Sequence, residues 1–183
     1  MQIQRERIIL GVDPGTNLMG YGLLKIIGKK PQVMQYGVIS LSKYANHALK
    51  LGKIYERMSH IIETYMPDEM ALESPFYGKN IQVALKLGRA QGVAMAAALA
   101  RGIPIIEYAP RKVKQSVTGN GNASKEQVAA MLKNLLKFEG ENILLDATDA
   151  LGVALCHFYQ GNTVQNKAKS WSDFVKDNPN RLK

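Results

Sequence analysis

The chain has 183 residues, of which 46% are hydrophobic, and it carries a formal net charge of +9. This length suits one domain with a real core, and the hydrophobic fraction excludes a disordered chain. No apolar run reaches the length of a membrane span, we expect no signal peptide, and the single Cys156 excludes an intrachain disulfide and a cysteine-based zinc site. These features favour a cytoplasmic protein, and the positive charge favours a polyanionic partner such as nucleic acid.

Three strands are predicted in the N-terminal part of the chain. Residues 7–13 form an apolar run that ends on Asp13, and Pro14-Gly15 follows as a turn, which is typical of a buried strand that stops at the edge of the core. Residues 20–27 and 32–40 are predicted as the next two strands. Because their connections are short, the three strands are expected to form an antiparallel meander.

Helices and strands alternate after this meander. Periodicity and breaker residues predict helix 48–66, strand 69–73, helix 80–101, strand 103–108, a basic glycine-containing segment, a helix capped by Ser124 that runs to about 138, and helix 143–160. The order β-β-β-α-β-α-β-α-α predicts an α/β fold with a mixed five-stranded sheet, a three-strand antiparallel meander plus parallel strands, flanked by helices. Residues 1–161 are expected to form this domain, and residues 162–183 a polar, basic tail.

Four acids interrupt apolar surroundings in this pattern. Asp13 and Glu73 each end an apolar run shortly before a proline. Asp146 and Asp149 are three residues apart, which places them on one face of the last helix. Any one of these acids is more commonly a helix cap or a salt-bridge partner. The set of four favours a shared site.

Clustered carboxylates repel one another, and a divalent cation relieves that repulsion. Oxygen ligands alone suit Mg²⁺, with Mn²⁺ as a substitute, rather than zinc. Two such ions about 4 Å apart clamp a phosphodiester, so that one activates water and the other stabilises the leaving 3′ oxygen. The four acids therefore predict a metal-dependent phosphodiesterase site.

Six motifs stand in order between Ile8 and His157. They are Val12-Asp13-Pro14-Gly15-Thr16, Glu73 followed by Phe76-Tyr77-Gly78-Lys79-Asn80, Ala84-Leu85-Lys86-Leu87-Gly88-Arg89-Ala90-Gln91-Gly92, Val113-Lys114-Gln115, Gly119-Asn120-Gly121 and Asp146-Ala147-Thr148-Asp149-Ala150-Leu151. Together these motifs resemble those of the RuvC Holliday junction resolvases.

The resemblance implies a ribonuclease-H-like fold, a homodimer and Mg²⁺-dependent endonuclease action on four-way DNA junctions in recombination and repair. It implies paired symmetric nicks that leave 5′-phosphate and 3′-hydroxyl ends, and cooperation with the RuvA–RuvB branch-migration complex. The resemblance assigns metal binding and catalysis to Asp13, Glu73, Asp146 and Asp149. It also assigns functional roles to Lys114 and Lys125, and stacking on an unpaired base to Phe76.

The basic residues agree with a DNA substrate. Between residues 74 and 114 there are seven basic residues and one acid, Glu107, which suits contact with phosphates. The expected DNA-binding residues are Phe76, Tyr77, Lys79, Lys86, Arg89, Lys112, Lys114 and Lys125. A solvated surface for the basic residues, and core packing for the two aromatics, are the alternative interpretations.

Two further features have alternative interpretations. His157 follows Asp149 on roughly the same helix face. It either has a functional role, by assisting the site or contacting phosphate, or is satisfied in the core. The small residues of helix 80–101 serve either a dimer contact or packing within the chain.

Two other function classes are weighed against the nuclease. Asp13-Pro14-Gly15-Thr16 also fits the phosphate turn of a sugar kinase or actin-like domain, but no second glycine-rich phosphate loop is found. A non-catalytic junction-binding protein on the same fold would not need all four acids. ATP binding would favour the first alternative, and failure to cut with any divalent metal would favour the second.

Overall fold

Five strands form one mixed sheet in the computed structural model, which describes residues 6–75, 80–138 and 145–164, with only the backbone for 162–164. The strands are β1 (Glu6–Asp13), β2 (Leu18–Ile27), β3 (Lys30–Ser40), β4 (Glu69–Glu73) and β5 (Ile105–Tyr108). Their order across the sheet is β3-β2-β1-β4-β5. β1 pairs antiparallel with β2 and parallel with β4, which confirms the predicted meander and the parallel strands beside it.

Helices cover both faces of this sheet. They are α1 (His47–Tyr65), α2 (Ile81–Leu99), α3 (Pro110–Thr118), α4 (Lys125–Leu136) and α5 (Leu145–Val164). α1 and α2 bury one apolar cluster against the sheet, and α3, α4 and α5 bury a second cluster on the other face. No helix in the described part of the chain is long and apolar enough to cross a bilayer.

The predicted order of elements lacked one helix, because the basic, glycine-containing segment after β5 includes the helix α3. Its signals were weak because the helix has only nine residues. Pro110 occupies the first turn, Val113 and Val117 are buried at a spacing of four, and Gly119 ends the helix with φ of 77°. α5 also continues to Val164, so the expected boundary between domain and tail falls inside this helix. The rest of the expected tail lies outside the described residues.

Glycines on two central strands let α5 lie directly on the sheet. A Cβ atom added at Gly11 of β1 would stand 2.1 Å from the carbonyl oxygen of Ala150, and one at Gly20 of β2 would stand 1.9 Å from that of Asp146. No larger residue fits at either position without displacing the α5 backbone. The depth of α5 on the sheet therefore depends on these two glycines.

The substitution Gly11→Ala should destabilise the protein. Overpacking of a closely packed site costs about 1–3 kcal/mol, and each kcal/mol lowers the melting temperature by about 2–4 °C in a domain of this size. Gly52→Ala is the matched control because a Cβ atom there would contact nothing within 4 Å, on a residue inside α1. This control should be neutral or slightly stabilising. Equal melting temperatures for the two variants in calorimetry would contradict the packing argument.

Candidate active site

Asp13 and Glu73 lie side by side at the ends of two neighbouring parallel strands. β1 and β4 are in register from Ile9↔Glu69 to Val12↔Leu72, so the next pair along is Asp13 and Glu73. Parallel strands lie about 4.8 Å apart, and paired residues point to the same face. Successive side chains along a strand alternate between the two faces of the sheet. Asp13 therefore points to the same face as Gly11, two residues earlier, and α5 covers that face.

The first turns of α5 bring two more acids to this place. Carboxylate oxygens of Asp13, Asp146 and Asp149 all lie within 4.8 Å of one another. Glu73 flanks this group closely enough that its charge raises the pKa of Asp13. All four acids of the sequence prediction thus meet at one edge of the sheet.

The protein environment disfavours negative charge on these acids. Burial, followed by the charges of Glu73 and Asp149, raises the pKa of Asp13 to about 8. Burial and the charge of Asp149 raise the pKa of Glu73 to about 7. Burial also raises the pKa of Asp149, although its hydrogen bond with Lys125 opposes that effect. A cation bound here would offset the repulsion, as at other sites that collect like charges.

Lys125 supplies a positive charge inside the acid cluster. Its Nζ lies 2.6 Å from Asp149 Oδ2 and 3.3 Å from Asp146 Oδ1. Burial alone would lower the pKa of Lys125, but the hydrogen bond to Asp149 and the charges of the surrounding acids raise it above its ordinary value. Lys125 is therefore a permanent cation at the start of α4, directly after the N-cap residue Ser124.

The other predicted DNA-binding residues divide into three groups. Lys114 on α3 lies near the acids, because its charge lowers the pKa values of Glu73 and Asp149. Lys112 is exposed on the same helix, and Lys86 and Arg89 are exposed on α2, where their charges act on His47. The remaining three lie outside the described residues: Phe76, Tyr77 and Lys79.

The structure places His157 away from the acid cluster. Its Nε2 lies 2.6 Å from Glu69 Oε2, and its Nδ1 lies 2.7 Å from the hydroxyl of Tyr108. Glu69 begins β4, whereas Glu73 ends that strand at the site. Of the two interpretations of this histidine, its position supports the satisfied core residue that ties α5 to β4 and β5.

The acid cluster has the chemistry of a site for a hard divalent cation. Its donors are carboxylate oxygens, and it contains neither a thiolate nor an imidazole. Such a donor set suits Mg²⁺ or Mn²⁺. Burial and the neighbouring acids raise the pKa of Asp13 despite the opposing charge of Lys125, so a further cation would favour the ionised carboxylate. The residues therefore fit a divalent metal ion.

Two glycines that were not predicted as functional position the acid cluster. Gly11 and Gly20 have no functional side chain, but their lack of a Cβ atom leaves room for the α5 backbone, which carries Asp146 and Asp149. Glycines inside predicted strands were a usable signal, because such glycines often mark the close approach of another backbone. The sequence did not predict that α5 is the element that approaches these glycines, since it lies more than a hundred residues away along the chain.

Comparison with known proteins identifies relatives along most of the chain. The family model described as Crossover junction endodeoxyribonuclease RuvC matches residues 9–157. The chain is 62% identical over 178 residues to the crossover junction endodeoxyribonuclease RuvC of Cytophaga hutchinsonii, covering 97% of this chain and 89% of that relative.

Solved structures agree with this relationship. The structure of Thermus thermophilus RuvC matches with a TM-score of 0.76 and 31% identity over 85% of this chain and 96% of that one. The same protein in complex with Holliday junction substrate matches with a TM-score of 0.80 and 28% identity, over 86% of this chain and 96% of that one. These similarities confirm the predicted ribonuclease-H-like fold class.

Without a divalent cation, the protein should lose stability as the pH rises. The pKa of Asp13 is about 8 in the folded chain, against about 4 for an ordinary aspartate, so the folded state holds an extra proton between these values. That stabilisation is full below about pH 4 and is lost as the pH rises through about 8. Asp13→Asn should therefore raise the melting temperature in chelator by several degrees at about pH 9, and change it little at about pH 5.

Glu56→Gln is the matched control for this acid-to-amide change. Glu56 is exposed on α1, and a hydrogen bond from Lys53 lowers its pKa, which is the opposite direction. Its replacement should leave the melting temperature unchanged or slightly lower at about pH 9. An Asp13→Asn variant that melts below the wild-type protein at that pH would contradict the electrostatic account.

Proposed function

Because the chain belongs to the RuvC family of crossover junction endodeoxyribonucleases, we propose that it resolves four-way (Holliday) DNA junctions. The observation that carries this proposal is the meeting of Asp13, Asp146 and Asp149 beside Glu73 at one edge of the sheet. The substrate follows from the relatives, one of which has a structure with Holliday junction substrate. A DNA substrate agrees with the cytoplasmic location expected from the sequence.

We assign metal binding and catalysis to Asp13, Glu73, Asp146 and Asp149. Mg²⁺ held by these carboxylates, as two ions per site with Mn²⁺ as a substitute, would activate water and stabilise the leaving 3′ oxygen. The nicks would then leave 5′-phosphate and 3′-hydroxyl ends. The chain itself supplies rigid placement, since two acids stand on central strands and two on a helix seated on those strands.

Lys125 and Lys114 have separate roles in this proposal. Lys125 orients Asp149 through their 2.6 Å contact and opposes the rise in the pKa of that carboxyl that burial causes. With a side chain about half exposed, Lys125 also presents positive charge to an approaching phosphate. Lys114 lies on the neighbouring helix and adds a second positive charge beside Glu73. Together they draw an anionic strand toward a site that would otherwise repel it.

A homodimer would bring two such sites to opposing strands of one junction. The buried alanines of α2, which include Ala90, Ala94 and Ala97, pack within the chain. The opposite stripe of α2 stays open, with Ile81 and Leu85 exposed and space around Gly88 and Gly92. These four positions fall on one helix face, which suits a self-complementary contact between two copies of α2. The RuvA–RuvB complex remains the expected further partner.

Cleavage of a four-way junction tests the proposed activity. With Mg²⁺, the protein should place paired nicks in a labelled junction and leave linear duplex of the same sequence intact. Asp13→Asn should slow cutting by more than about a hundredfold, the scale on which losing one group that stabilises transition-state charge slows an enzyme. Junction binding should persist, because the substitution removes a negative charge. Normal cutting by Asp13→Asn, beside the control Glu56→Gln, would refute the site.

The oligomeric state tests the proposed dimer contact. Leu85→Glu places a charge on the open stripe of α2 and should convert the dimer to a monomer in sedimentation analysis. Met34→Glu is the matched control, since Met34 is 42% exposed on the edge strand β3, away from α2. If both variants sediment as the wild-type protein does, α2 is not the dimer contact.

A further inference from the structure

A basic pocket lies beside the acid cluster at the same edge of the sheet. It has a volume of about 510 Å³ and is bounded by the β1–β2 turn, the segment after β3, the first turns of α1 and one side of α2. The residues that line it include Thr16, Asn17, Ser42, Tyr44, His47, Lys50 and Lys86. Nothing in the proposed cleavage chemistry uses this pocket.

The lining of this pocket offers hydrogen-bond donors and positive charge. Lys50 and Lys86 line it directly, and none of the described lining residues is acidic. Burial, followed by the charges of Arg89, Lys86 and Lys50, lowers the pKa of His47. Three cations thus act on one imidazole, and the pocket is suited to an anion that would neutralise them.

One donor in the pocket is already held in place, and one polar atom lacks a partner. Lys50 Nζ donates to the carbonyl of Thr16 at 2.9 Å and to Asn17 Oδ1 at 3.0 Å, which leaves one of its three N–H groups for a ligand. His47 Nε2 is buried and has no hydrogen-bond partner among the described residues. A buried ring nitrogen without a partner is costly, and a bound oxyanion would satisfy it.

The distance from the pocket to Asp13 suits a neighbouring phosphate of the same DNA strand. Thr16 follows Asp13 by three residues, so their Cα atoms are at most about 11 Å apart. Phosphates of one strand repeat at about 3.4 Å along the helix axis and lie further apart through space, because the strand winds around that axis, so this distance spans at most about three nucleotides. α1 also begins at this edge, and its N-terminal end adds partial positive charge.

We propose that this pocket, built from His47, Lys50, Asn17 and Lys86, binds a backbone phosphate of the junction arm a few nucleotides from the cleaved bond. The proposal rests on the proposed function, since it assigns a second contact to the same DNA substrate. The pocket positions an arm and takes no part in bond breaking. Its contribution is electrostatic and independent of base sequence.

The salt dependence of junction binding tests this pocket. Binding is measured at several salt concentrations in the non-cleaving Asp13→Asn background. Lys50→Gln combined with Lys86→Gln should lower the slope of log K against log[salt] by about one and weaken binding about tenfold at about 0.1 M salt. Lys29→Gln with Lys30→Gln is the matched control, because both lysines are exposed at the β2–β3 hairpin at the opposite edge of the sheet. An effect no larger than that of the control pair would overturn the proposal.

The single variant Lys86→Gln tests the pocket even if the double variant does not fold. Lys86 is exposed on α2, so its loss leaves the fold intact, and it should shift the slope in the same direction. NMR signals of the His47 ring separate the possible sources of phosphate. They should move with stoichiometric junction DNA. A shift with inorganic phosphate alone, and none with the junction, would overturn the assignment to DNA.

The two proposals fail in different ways. If the wild-type protein neither binds nor cuts junctions, the proposed function and the pocket both fall. If the wild-type protein cuts junctions and the double variant matches its control, only the pocket is refuted.

Discussion

The contact between α5 and the glycines of β1 and β2 is the constraint on which the site depends. Gly11 and Gly20 have no side chain, and carbonyl oxygens of α5 occupy the space where a Cβ atom would stand. Asp146 lies in the first turn of α5, and its carbonyl is itself one of these close neighbours. The position of the helix on the sheet therefore also sets the height of the two helical acids above Asp13. A shift of about one ångström would disturb the spacing of the carboxylates proposed to share a cation, and catalytic geometry tolerates little more than half of that.

This geometry imposes an electrostatic cost that the rest of the domain must offset. Four acids are held together, and burial and mutual repulsion raise the pKa of Asp13 to about 8 and that of Glu73 to about 7. Lys125 relieves part of the repulsion through Asp149 and Asp146. The apolar clusters on both faces of the sheet supply the compensating stability. Strongly shifted pKa values of this kind concentrate at functional sites, which agrees with the metal site proposed for these acids.

The sequence predicted the elements that carry the acids better than the contacts that join them. Asp13 and Glu73 could be placed because each ends a short apolar run, and Asp146 and Asp149 because a spacing of three defines a helix face. The pairing of Lys125 with Asp149 could not be predicted from local pattern, since it depends on how α4 packs against α5. α3 was missed because two apolar positions are a weak periodic signal. His157 shares a helix with the acids, but eight residues at about 1.5 Å each carry it about 12 Å from Asp149.

The topology explains why the charged features collect at one edge of the sheet. β1 and β4 run in parallel, so both end there, and α1, α2 and α5 all begin near that edge with their positive helix ends. A carboxylate cluster that must accept a phosphodiester faces the problem that both are anionic. Nearby lysines offset this repulsion. Lys114 and Lys125 lie close to the acids. Lys50 and Lys86 line the basic pocket, which the β1–β2 turn borders a few residues after Asp13. The acids are thus bordered by these four lysines, an arrangement that would favour the approach of an anionic strand to the proposed metal site.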